Sequence, residues 1–212
     1  MSPVPEECES RSHQIEDLQA SRQTAVECLA RAIEMHDPDA RRHVRRVASV
    51  ATLLGEQLGF DAERLVLLRA AAPLHDVGKA TIPVGVLQKR EQLTPSERER
   101  MQSHTIVGHE ILAGPENDGL LAMAATIALT HHEWFDGGGY PQGLAGEDIP
   151  IEGRIVAVAD VFDALLSERP HRPALPVEEA TKLISSERGT HFDPEVVDAL
   201  LDNIDVALAL RG

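Results

Sequence analysis

Residues 120–143, LLAMAATIALTHHEWFDGGGYPQG, contain an apolar helix pattern that ends in two histidines and continues into a glycine-rich loop. Glycine permits tight turns and close backbone approach, and paired histidines serve as ligands or acid–base groups. The stretch is therefore typical either of an ordinary surface turn or of the edge of a reactive site. The neighbouring segments decide between these alternatives.

Apolar residues recur at helical spacing in nearly every other segment of the chain. HVRRVASVATLLGEQLG, residues 43–59, repeats the pattern and ends in glycine. TPSERERMQSHTIVGHEILAG, residues 94–114, opens with a capping box between Thr94 and Glu97. No segment shows sustained alternation of period two. We therefore predict an all-α fold with one long loop at roughly residues 134–153.

An amphipathic leader helix is predicted before this domain. The stretch IEDLQASRQTAVECLARAI spaces its apolar residues as a helix does; these are Ile15, Leu18, Val26, Leu29 and Ile33. The stripe either caps the core or pairs with a second copy of the chain. We expect residues 1–34 to form a tail and leader helix, and residues 35–212 to form the main domain.

The charge balance limits the classes of partner. With 35 acidic and 20 basic residues the formal net charge is −15, which argues against nucleic-acid polymers and anionic lipid surfaces. No apolar run approaches the roughly 20 residues of a membrane span, and residues 1–10 lack a signal-peptide pattern. We expect a cytoplasmic protein, with Cys8 and Cys28 as incidental thiols.

Several polar residues fall on apolar helix faces. His43 lies four residues before Val47, and Asp160 interrupts the apolar run VAVADVF. Singly, such residues are typical of satisfied core positions, but an unpaired buried carboxylate is costly. Together they are too many for packing alone and favour a metal centre. The set is His43, His75, Asp76, His104, His131, His132 and Asp160.

Two pairs in this set are adjacent in sequence, which bears on the number of ions. Neighbouring helical residues point about 100° apart, so His75-Asp76 and His131-His132 suit two ions better than one. Mixed nitrogen and oxygen ligands suit iron or manganese. A hydroxide bridging two such ions attacks a phosphorus atom in line, so the pattern indicates phosphoester hydrolysis.

HDVGK at residues 75–79 resembles the signature of the HD phosphohydrolase superfamily. HHEWFDGGGYP at 131–141, DVFDALLSERPHR at 160–172 and RGTHFDPEVVDALL at 188–201 resemble its HD-GYP branch. The resemblance covers about residues 35–202. It implies an all-α, HD-type helical bundle that linearises cyclic di-GMP, a bacterial second messenger, with the seven residues above as metal ligands.

The resemblance also implies substrate and catalytic residues. It places the lysine of the HD motif at Lys79, the motif tyrosine at Tyr140 and a phosphate-contacting arginine at Arg169. Asp76 and Lys79 are the expected catalytic residues. Gly138 and Gly139 would let the loop backbone approach a bulky ligand, and aromatic rings such as Tyr140 stack on guanine.

Asp39 lies four residues before His43, and some family members hold an additional ion from this position. A three-metal site would carry hydrolysis through to GMP, whereas a two-metal site would leave linear pGpG. Asp39 is equally typical of an acidic residue in the first turn of a helix.

Three functions remain open: a cyclic di-GMP phosphodiesterase, a catalytically weak cyclic di-GMP binding module, and an HD phosphohydrolase for another nucleotide. The motif GYP favours the first over the third, and the full ligand set favours it over the second. A signalling protein is an expected partner, and the leader helix predicts a homodimer.

Overall fold

The computed structural model describes residues 21, 24–26, 28–30, 40–114, 119–168 and 173–211. Asp39 and Arg169, the predicted third-metal ligand and phosphate contact, lie outside these residues, as does Cys8. Cys28 is an exposed free thiol.

Helices account for the secondary structure of the main domain. They are α1 (Ala40–Gln57), α2 (Ala62–Ala71), α3 (Val84–Leu87), α4 (Pro95–Gln102), α5 (His104–Leu112), α6 (Gly119–Thr130), α7 (Ile151–Leu165), α8 (Val177–Ser186), α9 (Pro194–Asp202) and α10 (Ile204–Ala209). Short 3-10 turns cover Ala72–Leu74, Val77–Thr81 and Gly146–Asp148. Across the described ranges there is no strand beyond one isolated bridge between Arg188 and Phe192. The all-α prediction is confirmed.

The core forms where α1 packs against α2 and α7, and where α6 packs against α2, α5 and α7. Leu54, Ile127 and Phe162 are fully buried in it. The buried residues of α6 and α7 are mostly small and branched apolar ones, a composition that favours close packing.

The segment predicted as one helix over residues 94–114 is two helices. Its start is as expected, since Thr94 and Glu97 form the capping box. The helix is interrupted at Ser103, whose hydroxyl donates to the Arg100 carbonyl at 2.7 Å. This hydrogen bond competes with the one that a main-chain amide four residues later would donate to the same carbonyl in a continuous helix. The interruption places His104 at the first position of α5.

The described part of the leader is helical and contacts the main domain. Val26 packs against the core and Ala30 is buried, whereas Leu29 is 50% exposed. Val26 therefore contacts the core, while the leader as a separate unit of residues 1–34 and its self-association stay predictions.

The turn Val77–Thr81 lies directly on α5. A Cβ atom at Gly78 would lie 1.9 Å from the His104 carbonyl oxygen and 2.6 Å from the Gly108 nitrogen. Only glycine allows this contact, which holds Asp76 close to His104.

No helix in the described ranges has both the length and the apolar character needed to cross a membrane.

Candidate metal centre

Asp76 lies at the middle of the polar cluster, with 6% of its surface exposed. Its Oδ1 atom is 3.3 Å from His104 Nε2 and 3.8 Å from His131 Nε2. Its Oδ2 atom is 3.2 Å from His75 Nε2 and accepts a hydrogen bond from the Lys79 ammonium. The two carboxylate oxygens thus face different histidines, which is the arrangement of a bridging ligand.

The structure brings together all seven residues predicted as ligands, in two adjacent groups. Within each group the ligand atoms lie within 4.8 Å of one another. The Asp76 group consists of Asp76, His104, His131 and His132, and the His43 group consists of His43, His75 and Asp160. The contact between His75 and Asp76 joins them.

Main-chain carbonyls orient three of the histidines. A carbonyl oxygen only accepts hydrogen bonds, so each Nδ1 atom carries a proton and donates it. For a neutral ring, Nε2 then keeps its lone pair, as a metal ligand requires. The bonds join His75 to Ala72 at 2.9 Å, His104 to Met101 at 2.7 Å and His131 to Ile127 at 3.0 Å.

Burial and neighbouring charges keep His104, His132 and Asp76 in the protonation states that a cation needs. It lowers the pKa of His104 to about 4 and that of His132 well below its ordinary value. Burial alone would raise the pKa of Asp76, but Lys79 and His75 hold it well below its ordinary range. At neutral pH Asp76 is therefore a carboxylate, and His104 and His132 are neutral imidazoles.

Unsatisfied atoms in this group show that it fits a divalent cation. Asp76 Oδ1, His104 Nε2 and His131 Nε2 are buried, and none makes a hydrogen bond to a described residue. Their lone pairs face one another, an arrangement that is costly unless a positive charge lies between them. A divalent ion would satisfy all three atoms.

A second layer of residues, not predicted from the sequence, orients His43. His43 Nδ1 donates to Asp163 Oδ2 at 2.9 Å, while its Nε2 lies 3.3 Å from Asp160. Asp163 is fully buried and accepts from Arg46 Nε at 2.6 Å and from Arg211. Burial would raise the pKa of Asp163, but hydrogen bonds from His43 and Arg46 lower it to about 2.

In the sequence, helical spacing was the signal that could have indicated Asp163 and Arg46. Asp163 follows Asp160 by three residues on α7, and Arg46 follows His43 by three residues on α1, so each lies near a predicted ligand. The contact that joins the helices spans 120 residues, and no local pattern reveals it.

The glycine-rich loop folds back onto the Asp76 group. The Tyr140 ring stacks on His132 with ring centres 4.9 Å apart, and the Tyr140 amide donates to the His132 carbonyl at 3.1 Å. A Cβ atom at Gly139 would lie 2.2 Å from the Trp134 nitrogen, so this glycine is needed for the fold of the loop itself. Asp136 accepts from the Gly138 amide at 2.8 Å, as expected for a turn.

Glu133, another residue not predicted, anchors the far end of this loop. Its carboxylate is buried and accepts from the amides of Gln142 at 2.7 Å and Leu144 at 3.1 Å. Loop position and ligand position are therefore linked through consecutive residues, His132 and Glu133.

The family profile described as "HD domain" matches residues 27–196. Over 173 residues the chain is 50% identical to the "Cyclic di-GMP phosphodiesterase response regulator RpfG" of Xanthomonas campestris pv. campestris, covering 82% of this chain and 46% of the relative. Over 196 residues it is 40% identical to the "3'3'-cGAMP-specific phosphodiesterase 2" of Vibrio cholerae, covering 92% of this chain and 37% of the relative. The chain thus spans less than half the length of these two curated relatives.

A solved structure of a cyclic GMP-AMP specific phosphodiesterase from V. cholerae has the same fold. The TM-score is 0.62 at 21% sequence identity, and the match covers 89% of this chain and 52% of that one.

Proposed function

The chain belongs to the HD domain family, in the HD-GYP branch that its motifs resemble, and from this premise we propose that it is a metal-dependent phosphodiesterase of cyclic dinucleotides whose substrate is cyclic di-GMP. The observation that carries the proposal is the Asp76 carboxylate, one oxygen of which faces His104 and the other His75. A bridging carboxylate between two groups of nitrogen and oxygen ligands is the arrangement of a two-metal hydrolase.

The Asp76 group and the His43 group would each hold one transition-metal ion. Iron and manganese fit mixed imidazole and carboxylate ligands best. When bound, two such ions supply an activated water at neutral pH and stabilise the negative charge that develops on the phosphodiester.

The remaining roles fall to side chains beside these groups. Lys79 is 30% exposed, and its ammonium reaches the cluster at Asp76, where it can also neutralise a phosphate oxygen. We assign a second phosphate contact to Arg169. Burial raises the pKa of Tyr140, so its hydroxyl stays protonated and donates a hydrogen bond to the substrate.

Asp39 determines the product in this proposal. If Asp39 binds a third ion, GMP is the final product, and if it only stabilises the start of α1, linear pGpG accumulates. Asp39→Ala tests the assignment. A lower metal-to-protein ratio together with more pGpG supports a third ion, whereas an unchanged ratio with unchanged products returns Asp39 to a structural role.

A second substrate is favoured by three relatives named 3'3'-cGAMP-specific phosphodiesterases of V. cholerae, one of them at 40% identity. Cyclic di-GMP and 3'3'-cGAMP share one guanosine half, so both bring the same phosphodiester chemistry to the metal centre. A catalytically weak binding module is the other alternative, and the seven assembled ligand residues argue against it.

The deciding experiment combines metal analysis with product analysis. Anaerobically purified protein should contain at least two iron or manganese ions per chain and should convert cyclic di-GMP to pGpG or GMP on chromatography. Parallel assays with 3'3'-cGAMP rank the two substrates. Full activity without metal, or with a single zinc ion, would refute the two-metal proposal.

We also assign the leader helix a role in self-association in the cytoplasm, where a signalling partner would regulate the domain. The half-exposed Leu29 supports this role. Deleting residues 12–34 should lower the number of chains per particle measured by light scattering. An unchanged number of chains would contradict the assignment.

A further inference from the structure

A cavity of about 420 Å³ opens beside the glycine-rich loop, outside the ligand groups. It is lined by Gln92, Leu93, Arg98, Met101, Gln102 and Tyr140. Its size is within the range of small-molecule sites, which is about 300–1,000 Å³.

The cavity shares two walls with the Asp76 group. Tyr140 lines it and stacks on His132. Met101 lines it as well, and the Met101 carbonyl accepts the hydrogen bond that orients His104. A ligand in the cavity would therefore lie next to the metal centre and contact residues that position two of its histidines.

The walls combine apolar faces with polar edges. Leu93, Met101 and Tyr140 provide aliphatic, thioether and aromatic surface, which suits a flat heterocycle. Arg98 and Gln102 lie on the same face of α4 as Met101, at spacings of three or four residues, and bring hydrogen-bonding groups to one edge. This pattern is typical of a site for a purine base.

Arg98 indicates which purine. Within the described residues no hydrogen bond or ion pair holds its guanidinium. The neighbouring acid, Glu97, is instead engaged by Lys89 and the Thr94 amide. A guanidinium donates two parallel hydrogen bonds to O6 and N7 of guanine, whereas the amino group of adenine at the corresponding position is itself a donor.

We propose that this cavity binds one guanine base of the substrate, with Arg98 donating to its O6 and N7 edge and with Tyr140 and Met101 contacting its faces. The proposal rests on the function proposed above and adds the selectivity of the site. One guanine of cyclic di-GMP or of 3'3'-cGAMP satisfies it, and cyclic di-AMP does not.

The test compares Arg98→Ala with Arg100→Ala, a matched control on the same helix that does not line the cavity. Arg98 and Arg100 are both exposed, so both variants should unfold at the wild-type temperature. Arg98→Ala should raise KM for cyclic di-GMP by about tenfold or more, the loss expected for one bidentate contact. It should leave hydrolysis of bis(p-nitrophenyl) phosphate, which has no base, unchanged.

Binding of cyclic di-GMP by calorimetry separates this proposal from the catalytic one. An Arg98→Ala variant with unchanged KM and unchanged affinity overturns the base site and leaves the phosphodiesterase intact. The wild-type protein could instead hydrolyse no cyclic dinucleotide and still bind cyclic di-GMP at least tenfold better than Arg98→Ala does. That result would support the base site and refute the catalytic function. Equal wild-type affinity for cyclic di-AMP and cyclic di-GMP also overturns the base site.

Discussion

The two ligand groups differ in what holds one of their histidines, His43. In the Asp76 group, His104 and His131 donate to main-chain carbonyls. In the His43 group, His75 also donates to a main-chain carbonyl, whereas His43 donates to the side chain of Asp163, which depends in turn on Arg46 and Arg211. A main-chain acceptor persists in every variant, whereas a side-chain acceptor is lost by one substitution. The His43 group is therefore the part of the centre that mutation can loosen selectively.

The largest effect is expected where the two groups meet. Asp76→Ala removes the carboxylate that faces histidines of both groups, so the metal-to-protein ratio should fall for both ions and hydrolysis should become undetectable. Elemental analysis and the chromatographic assay measure this. Retention of one full metal equivalent would show that the groups are independent, and Asp76→Asn controls for side-chain volume.

A selective effect is expected at Asp163. Asp163→Asn should weaken binding of one ion about 10- to 100-fold, the usual effect of losing the partner of a ligand histidine. The ion of the Asp76 group should stay bound. The variant should also lose about 3–5 kcal/mol of stability, since Arg46 and Arg211 are left beside a buried neutral group.

Asp198→Asn is the matched control for this change, because Asp198 forms an exposed pair with Arg188. Titration with manganese and denaturant unfolding compare the two variants. Equal loss of both ions in Asp163→Asn would refute the difference between the groups.

A smaller effect in the same direction is expected at Arg211. Arg211→Met removes one donor to Asp163 and leaves Arg46 in place, so we expect a loss of about 1–3 kcal/mol in unfolding free energy. Metal affinity should fall less than in Asp163→Asn. Arg188→Met, on the exposed pair, should leave stability close to the wild-type value, because solvent screens that ion pair. A larger metal loss in Arg211→Met than in Asp163→Asn would contradict the proposal that Arg211 acts on His43 through Asp163.

The smallest effect on the metals is expected at Tyr140. Tyr140→Phe keeps the ring that stacks on His132 and removes only the hydroxyl, so metal content should stay at the wild-type value while KM for cyclic di-GMP rises. Steady-state kinetics with elemental analysis measures both quantities. A fall in metal content equal to that of Asp76→Ala would assign Tyr140 to the metal centre instead of the substrate.

The sequence was sufficient for the fold and for the list of candidate ligands because both depend on local patterns. Helical periodicity, the Thr94 capping box and the adjacent pairs His75-Asp76 and His131-His132 are each visible within a few residues. Placing the seven residues in two groups required coordinates. The pair His75-Asp76 is divided between the groups, as the prediction of two ions implied, whereas His131 and His132 lie in the same group.

Features that depend on contacts between distant helices were not accessible in this way. The support of His43 by Asp163 and Arg211 joins three separate segments, and the cavity beside Arg98 needs both α4 and the loop of Tyr140. The interruption at Ser103 was missed because a serine inside a helical pattern only occasionally stops it.

The close contact at Gly78 has a consequence for the variants that can survive in a population. At Gly85, seven residues later, a new side chain would meet nothing within 4 Å, so many residues are sterically tolerated there. At Gly78 even a methyl group would push the turn Val77–Thr81 away from α5 and widen the gap between Asp76 and His104. Substitutions can therefore accumulate at Gly85 by genetic drift, whereas substitutions at Gly78 are removed by selection. The sequence alone does not distinguish these two glycines.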